Sequence, residues 1–256
     1  MSKLADLIRK ASRIESAPMG FGAGAARKSA STMLCLVRLA AGDSHKAAEA
    51  ASKGADAVIF EGIDAGKLKE QAQKAERMAL GVRLLKADRA TVAALRQAGA
   101  DFVVLEPQSA WAESLLEEGV GLVLALGGDT PDTTLRLLAD LPLDALLVAP
   151  PEDPLTVART LELRRLAVLS RMPLLTDVPA EADSSRLQAL RAAGVAGVII
   201  EGRALDRLPS LRRAVDAMPP RGRRREERPH AMLPVQALVS AGEEDEEEEF
   251  SSISPP

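Results

Sequence analysis

The sequence predicts an α/β fold, a single (β/α)8 barrel of the TIM-barrel type, on three observations. The stretches GADAVIFEG (54–62), GADFVVLEP (99–107) and GVAGVIIEG (194–202) echo one another. In each a Gly ends a helical segment, an apolar run follows, and a glutamate stands seven residues after the Gly: Glu61, Glu106 and Glu201. Second, eight strand-like apolar runs alternate with helical segments between Met33 and Met218, the pattern of a parallel α/β sheet in the number that closes a barrel. Third, Arg38 and Arg83 end the first and third runs 45 residues apart, and Glu61 and Glu106 end the second and fourth at the same spacing. Continued along the chain, that frame gives a four-quarter internal repeat with an insertion in the last quarter. Such a repeat closes into a barrel, whereas a doubly wound open sheet reverses direction partway.

Residues 1–32 precede the barrel. KLADLIRKASRI sets Leu4, Leu7, Ile8, Ala11 and Ile14 on one face of a short amphipathic helix. A Gly- and Ala-rich connector follows; it lies ahead of the first strand, whereas a phosphate-cradling loop follows a strand and opens a helix. The barrel occupies 33–218. Its strands are expected at 33–38, 56–61, 79–83, 101–106, 121–126, 144–149, 173–178 and 197–201. Several of the segments between them open on Asp, Ser or Thr as N-caps, and three close at Gly54, Gly99 and Gly194 as C-terminal caps. Trp111 is expected to begin the helix after the fourth strand. Beyond Met218 the pattern stops. Residues 219–256 read as an Arg/Pro linker, a short apolar segment and an acidic tail too charge-dense to fold alone, hence disordered.

Composition narrows the function. Apolar residues are 46% of the 256, enough for a large core, but aromatics are 2% and Tyr is absent, which disfavours base or flavin stacking. Five arginines and nine acids after Met218 carry the whole net charge of −4 and leave residues 1–218 balanced. A balanced body lacks the cationic face that nucleic-acid binding needs. No signal-peptide pattern or membrane-length apolar run is present, so the expectation is a cytoplasmic protein without a membrane partner. The lone Cys35 excludes an intrachain disulfide and is expected to pack, inert, against the helices.

The chemistry on offer sits at the strand C-termini, the site face of such barrels. Strand alternation puts Ala57, Ile59 and Glu61 inward, with Gly81 and Arg83, and with Gly197, Ile199 and Glu201. The mouth is then ringed by Arg38, Glu61, Arg83, Glu106, Asp177 and Glu201, with Asp129 close by and Ala125 and Ala149 leaving one side uncharged. Arg38 and Arg83 are expected to clamp a carboxylate or phosphate. Glu61, Glu106, Asp177 and Glu201 are the candidate catalytic groups, as acid and base or as ligands of a hard cation. The competing expectation is that these charges only neutralise one another. His45, Lys86 and His230 read as solvated, and no Ser-His-Asp order, zinc-helix spacing or Walker loop is present.

The last unit, LRAAGVAGVIIEGRALDRL, resembles the final strand and turn of phosphate-binding barrels that hold flavin mononucleotide or a sugar phosphate, on Gly194, Gly197, Gly202 and Arg203. The resemblance covers about twenty residues. It implies that the backbone after Gly202, the start of the last helix and Arg203 receive a phosphate. The sequence departs from that family after the seventh strand, where TDVPAEADSS replaces a glycine pair, and at Glu201, which brings negative charge to the phosphate position. No cofactor is named by the sequence. The expected function is an enzyme binding a small anionic metabolite at the mouth; the alternative is a catalytically silent barrel that recruits a protein partner through its acidic tail.

Overall fold

The computed structural model describes residues 2–12, 32–74, 78–127 and 129–219. The Gly- and Ala-rich connector and the linker and acidic tail beyond Pro219 lie outside the described residues.

Eight parallel strands close into a barrel in sequence order: β1 (Leu34–Ala40), β2 (Ala57–Glu61), β3 (Ala79–Leu84), β4 (Phe102–Leu105), β5 (Gly121–Leu126), β6 (Ala145–Val148), β7 (Leu174–Asp177) and β8 (Val195–Glu201). Closure runs through β1 and β8, in register from Leu34 beside Gly197 to Arg38 beside Glu201. Helices α2 (Ala47–Ser52), α3 (Ala65–Lys74), α4 (Arg89–Gln97), α5 (Asp132–Leu138), α6 (Val157–Ser170), α7 (Ser184–Ala193) and α8 (Leu208–Asp216) follow the strands, and α1 (Lys3–Ser12) precedes them. No helix among the described residues is long and apolar enough to cross a membrane.

Some of the expected start and stop signals act, while α2, α5 and α8 begin without a side-chain cap. Asp88, Thr156 and Asp183 accept hydrogen bonds from Thr91, Arg159 and Arg186 N–H at the starts of α4, α6 and α7. Gly54, Gly99 and Gly194 turn the chain at positive φ (97°, 102° and 109°), where a side chain would be strained.

Two helices differ from the reading. The segment after β1 begins as a 3-10 turn, Ala41–Lys46, before α2, and Lys46 pairs with Asp43 three residues back at 2.9 Å, a spacing that a three-residue turn stacks on one face. After β4 there is no α-helix: Trp111 caps a five-residue 3-10 turn, Ala112–Leu116, and is 62% exposed. Ser114 answers Trp111 locally, its hydroxyl donating to the Trp111 carbonyl at 2.7 Å, and Gly119 then breaks the chain at a φ of 80°. The stretch from Pro107 to Gly119 is too short and interrupted to carry a full helix.

The strand faces divide as alternation demands. Outward residues such as Cys35, Val37, Val58, Phe60, Val103 and Leu105 pack under the helices. Inward ones, among them Leu36, Ile59, Phe102, Val104, Leu147 and Ile199, fill the barrel. Leu4, Ile8 and Ala11 of α1 belong to that inner cluster, so α1 closes the barrel at the strand N-termini. Carboxylates at the strand starts fasten this end. Asp56 and Asp101, themselves 45 residues apart, accept the N–H of Cys35 and Leu80, each at 2.8 Å. Asp56 also takes Arg212 of α8 at 2.6 Å, Asp101 lies 3.7 Å from Lys3, and the Ser2 hydroxyl donates to Asp144.

Burial pushes the Cys35 thiol up to about 12, against the pull of Arg212. The folded protein is therefore expected to stay unreactive toward Ellman's reagent at neutral pH and to label fully in denaturant; rapid labelling without denaturant would contradict this packing.

Candidate functional site

Residues at the C-terminal ends of β1, β2, β3, β4 and β7 meet over the barrel in one chain of ion pairs. Asp177 Oδ2 accepts from Nη2 of Arg38 at 2.8 Å, and Nε of Arg38 lies 3.4 Å from Oε1 of Glu61. The same Glu61 oxygen accepts from Nη1 of Arg83 at 3.3 Å. Arg83 then donates Nε and Nη2 to Oε1 of Glu106, at 3.0 and 2.8 Å. The order Asp177–Arg38–Glu61–Arg83–Glu106 alternates in charge across five strands. Parallel register makes it possible: Glu61 stands beside Arg83, and Ile59, one inward step below Glu61, stands beside Arg38.

The six ring residues named from the sequence are thus at the mouth, but only five are joined. Glu201 pairs instead with Arg203 at 2.5 Å, both well exposed. Gly202 has a packing reason: a Cβ there would lie 2.5 Å from Leu39 Cδ2 and 3.1 Å from the Arg38 carbonyl. The turn after β8 presses on β1 at that point. His45, Lys86 and Asp129 are exposed and stand outside the mouth cavity. No three His, Cys, Asp or Glu side chains among the described residues converge as a metal site.

Electrostatics separate the two arginines. Burial works against the Arg83 charge, but hydrogen bonds and attraction from Glu106, then Glu61, hold its pKa above the ordinary guanidinium value. Arg83 is thereby fixed in the frame. Asp177 is the perturbed carboxyl: burial raises its pKa, and Arg38 offsets this only in part. Its second oxygen, Oδ1, is buried without a hydrogen-bond partner, and Nε of Arg38 has only the 3.4 Å ion pair with Glu61. Buried polar atoms are nearly always satisfied, and Asp177 Oδ1 belongs to a residue that lines a cavity.

That cavity is about 930 Å³ and opens over β5–β8. Arg38, Arg83, Glu106, Asp177 and Glu201 form one wall, and Ala125, Leu147, Ala149, Pro150, Pro151 and Pro179 form another. Sequence reasoning found the first wall and the two alanines. It missed the prolines, Gln108 and Glu181, which come from loops; the visible signal was the Pro150–Pro151 pair directly after a strand.

The raised pKa of Asp177 fixes the sign of a pH effect. A carboxyl whose folded pKa exceeds its unfolded value favours the fold most below the unfolded pKa, near 3.8, and loses that contribution as pH rises through the folded value. Asp177→Asn escapes the loss. Its stability relative to the parent is expected to improve from about pH 3 toward neutrality in urea unfolding; a difference that is flat, or that falls with pH, would show Asp177 unperturbed.

No family model and no curated protein sequence matches the chain. Solved structures match its fold. A variant of the tryptophan synthase α-subunit from Pyrococcus furiosus is 15% identical with a TM-score of 0.55, over 72% of this chain and 96% of that one. Thiamine phosphate pyrophosphorylase from Pyrococcus furiosus is 13% identical with a TM-score of 0.52, over 72% and 96%. An HpcH/HpaI aldolase from Desulfitobacterium hafniense is 14% identical with a TM-score of 0.54, over 73% and 94%. Likeness at this level of identity speaks for the barrel and leaves the chemistry to the residues of this chain.

Proposed function

We propose that this barrel is an enzyme acting on a small anionic metabolite, carboxylate or phosphate, bound in the mouth over β5–β8. The observation that carries the reading is Asp177, which lines a large cavity on the strand C-terminal face and whose Oδ1 is buried without a partner. Asp177 acts as the general acid or base, its raised pKa bringing proton exchange closer to neutrality. Arg38 holds the other oxygen and so aims Oδ1.

The anionic end of the metabolite goes to Arg203. An exposed pair such as Arg203–Glu201 is worth little, so a ligand anion can replace Glu201 there at small cost. Arg83, held by two glutamates, serves the frame rather than the ligand. Enzymes with TIM barrels among the fold matches, tryptophan synthase α-subunit and thiamine phosphate pyrophosphorylase included, support the enzyme reading by analogy alone.

The test is ligand-detected NMR and thermal shift across a panel of small carboxylates and phosphate esters. At least one class is expected to bind, with Arg203→Ala weakening it by roughly tenfold, the worth of one charge-assisted contact. If nothing in the panel binds the parent, the mouth is a structural ion-pair frame and the proposal fails.

A further inference from the structure

Which anion, and on what body, follows from the charge balance and the walls of the mouth. A phosphate is normally received by several backbone N–H groups or by cations in excess of nearby acids. Past β6 the chain runs through Ala149 to Pro150 and Pro151, and past β7 through Val178 to Pro179; none of the three prolines has an N–H. The N–H of Val178, the remaining donor directly after β7, is already given to the Ile199 carbonyl at 2.9 Å. Cations are not in excess either. Arg38 is matched by Asp177, Arg83 by Glu106 and Glu61, and Arg203 by Glu201, while Glu181 adds a further carboxylate to the lining. One exchangeable arginine suits a singly charged carboxylate and leaves a phosphate dianion short of positive charge.

The remaining walls describe the rest of the molecule. Ala125, Leu147 and Ala149 carry no polar side-chain atom, and with Pro150, Pro151 and Pro179 they make a broad apolar surface. Asp177 lines the same cavity, and its Oδ1, buried and unpartnered, asks for a hydrogen-bond donor. An ionised carboxylate is acceptor-only, so the matching group on the ligand is a hydroxyl or an amine.

Resting on the proposed enzyme reading, we infer that the substrate class is an apolar-bodied carboxylate bearing a neighbouring hydroxyl or amine, with that donor on Asp177 Oδ1, the carboxylate at Arg203 and the body against the β5–β6 wall. Phosphate esters are then poor ligands of this mouth, in contrast to the expectation raised by the last βα unit.

Four probes that share one apolar body separate the possibilities in the full chain: phenyllactate, phenylalanine, phenylpropionate and phenyl phosphate, titrated by ligand-detected NMR. The hydroxyl or the amine probe is expected to bind at least about tenfold tighter than phenylpropionate, the worth of one hydrogen bond to a charged group. The better of the two identifies the donor. Asp177→Asn, close in shape to the parent, is expected to shrink that margin to about twofold or less.

Equal binding of phenylpropionate overturns the donor assignment, and needs no variant to do so. Phenyl phosphate binding tightest overturns the substrate class; both results leave the anionic-metabolite reading standing. Silence from all four probes while other panel anions bind also overturns this inference. Silence across the probes and the whole panel removes the enzyme reading with it.

Discussion

Phe102→Ala lowers the unfolding free energy by about 3–5 kcal/mol, the usual cost of deleting a buried aromatic ring. Phe102 is fully buried inside the barrel at the start of β4. Beside it on β3 is Gly81, in register with Phe102. A Cβ at Gly81 would lie 2.2–2.7 Å from three atoms of the Phe102 ring, inside contact distance. The ring therefore occupies the space that the missing side chain leaves, and neither residue can change alone. Gly81→Ala is expected to cost about 1–3 kcal/mol by overpacking. With Phe102→Leu in the same chain the cost should fall below the sum of the single changes, because the smaller side chain makes room. Urea unfolding of the four proteins checks the cycle; strict additivity would mean that the two sites do not share that space.

The second large effect lies in the helix that closes the barrel beneath Phe102. Leu4→Ala should cost about 2–5 kcal/mol, and Leu4→Asp should detach α1 altogether. Leu4 is fully buried and enters the same inner cluster as Phe102. A ten-residue helix has little stability of its own, so α1 persists through this packing and through Lys3 and Ser2 at the Asp101 and Asp144 carboxylates. Detachment would wet the inward residues at the strand starts while the mouth, at the other strand ends, keeps its ion pairs. Hydrogen exchange should accelerate at the beginnings of β1, β5 and β8, the strands that α1 touches, and not at their ends. Uniform exchange along the strands would show instead that α1 adds stability without acting as a plug.

The barrel was legible because its determinants repeat. Glycine turns, apolar runs and strand-end charges recur at fixed spacing, and each is dictated locally by a cap, a pleat or an alternation. The inward phase of Glu61, Arg83 and Ile199 followed from the same rule. The partners of those charges did not follow. Arg38 chooses Asp177, 139 residues away, as its hydrogen-bond partner, a choice set by side-chain rotamers across the closed mouth. The missing helix after β4 was misread because Trp111 and the apolar residues after it keep a helical look over a stretch that Gly119 cuts short. Asp56 and Asp101 were passed over although they repeat in frame, since a carboxylate that caps a neighbouring strand's N–H looks in sequence like any turn residue. The Gly81–Phe102 fit depends on register between strands, which no single strand states.

The alternating chain from Asp177 to Glu106 also says how this barrel can change. Each member between its ends answers two neighbours, so altering one strands a charge that must find a new home, and that arc resists drift. Ala125 and Ala149 answer to nobody. A new acid, base or ligand-reading side chain there breaks no ion pair, and its cost is one of packing, greatest at Ala125 in the inner cluster.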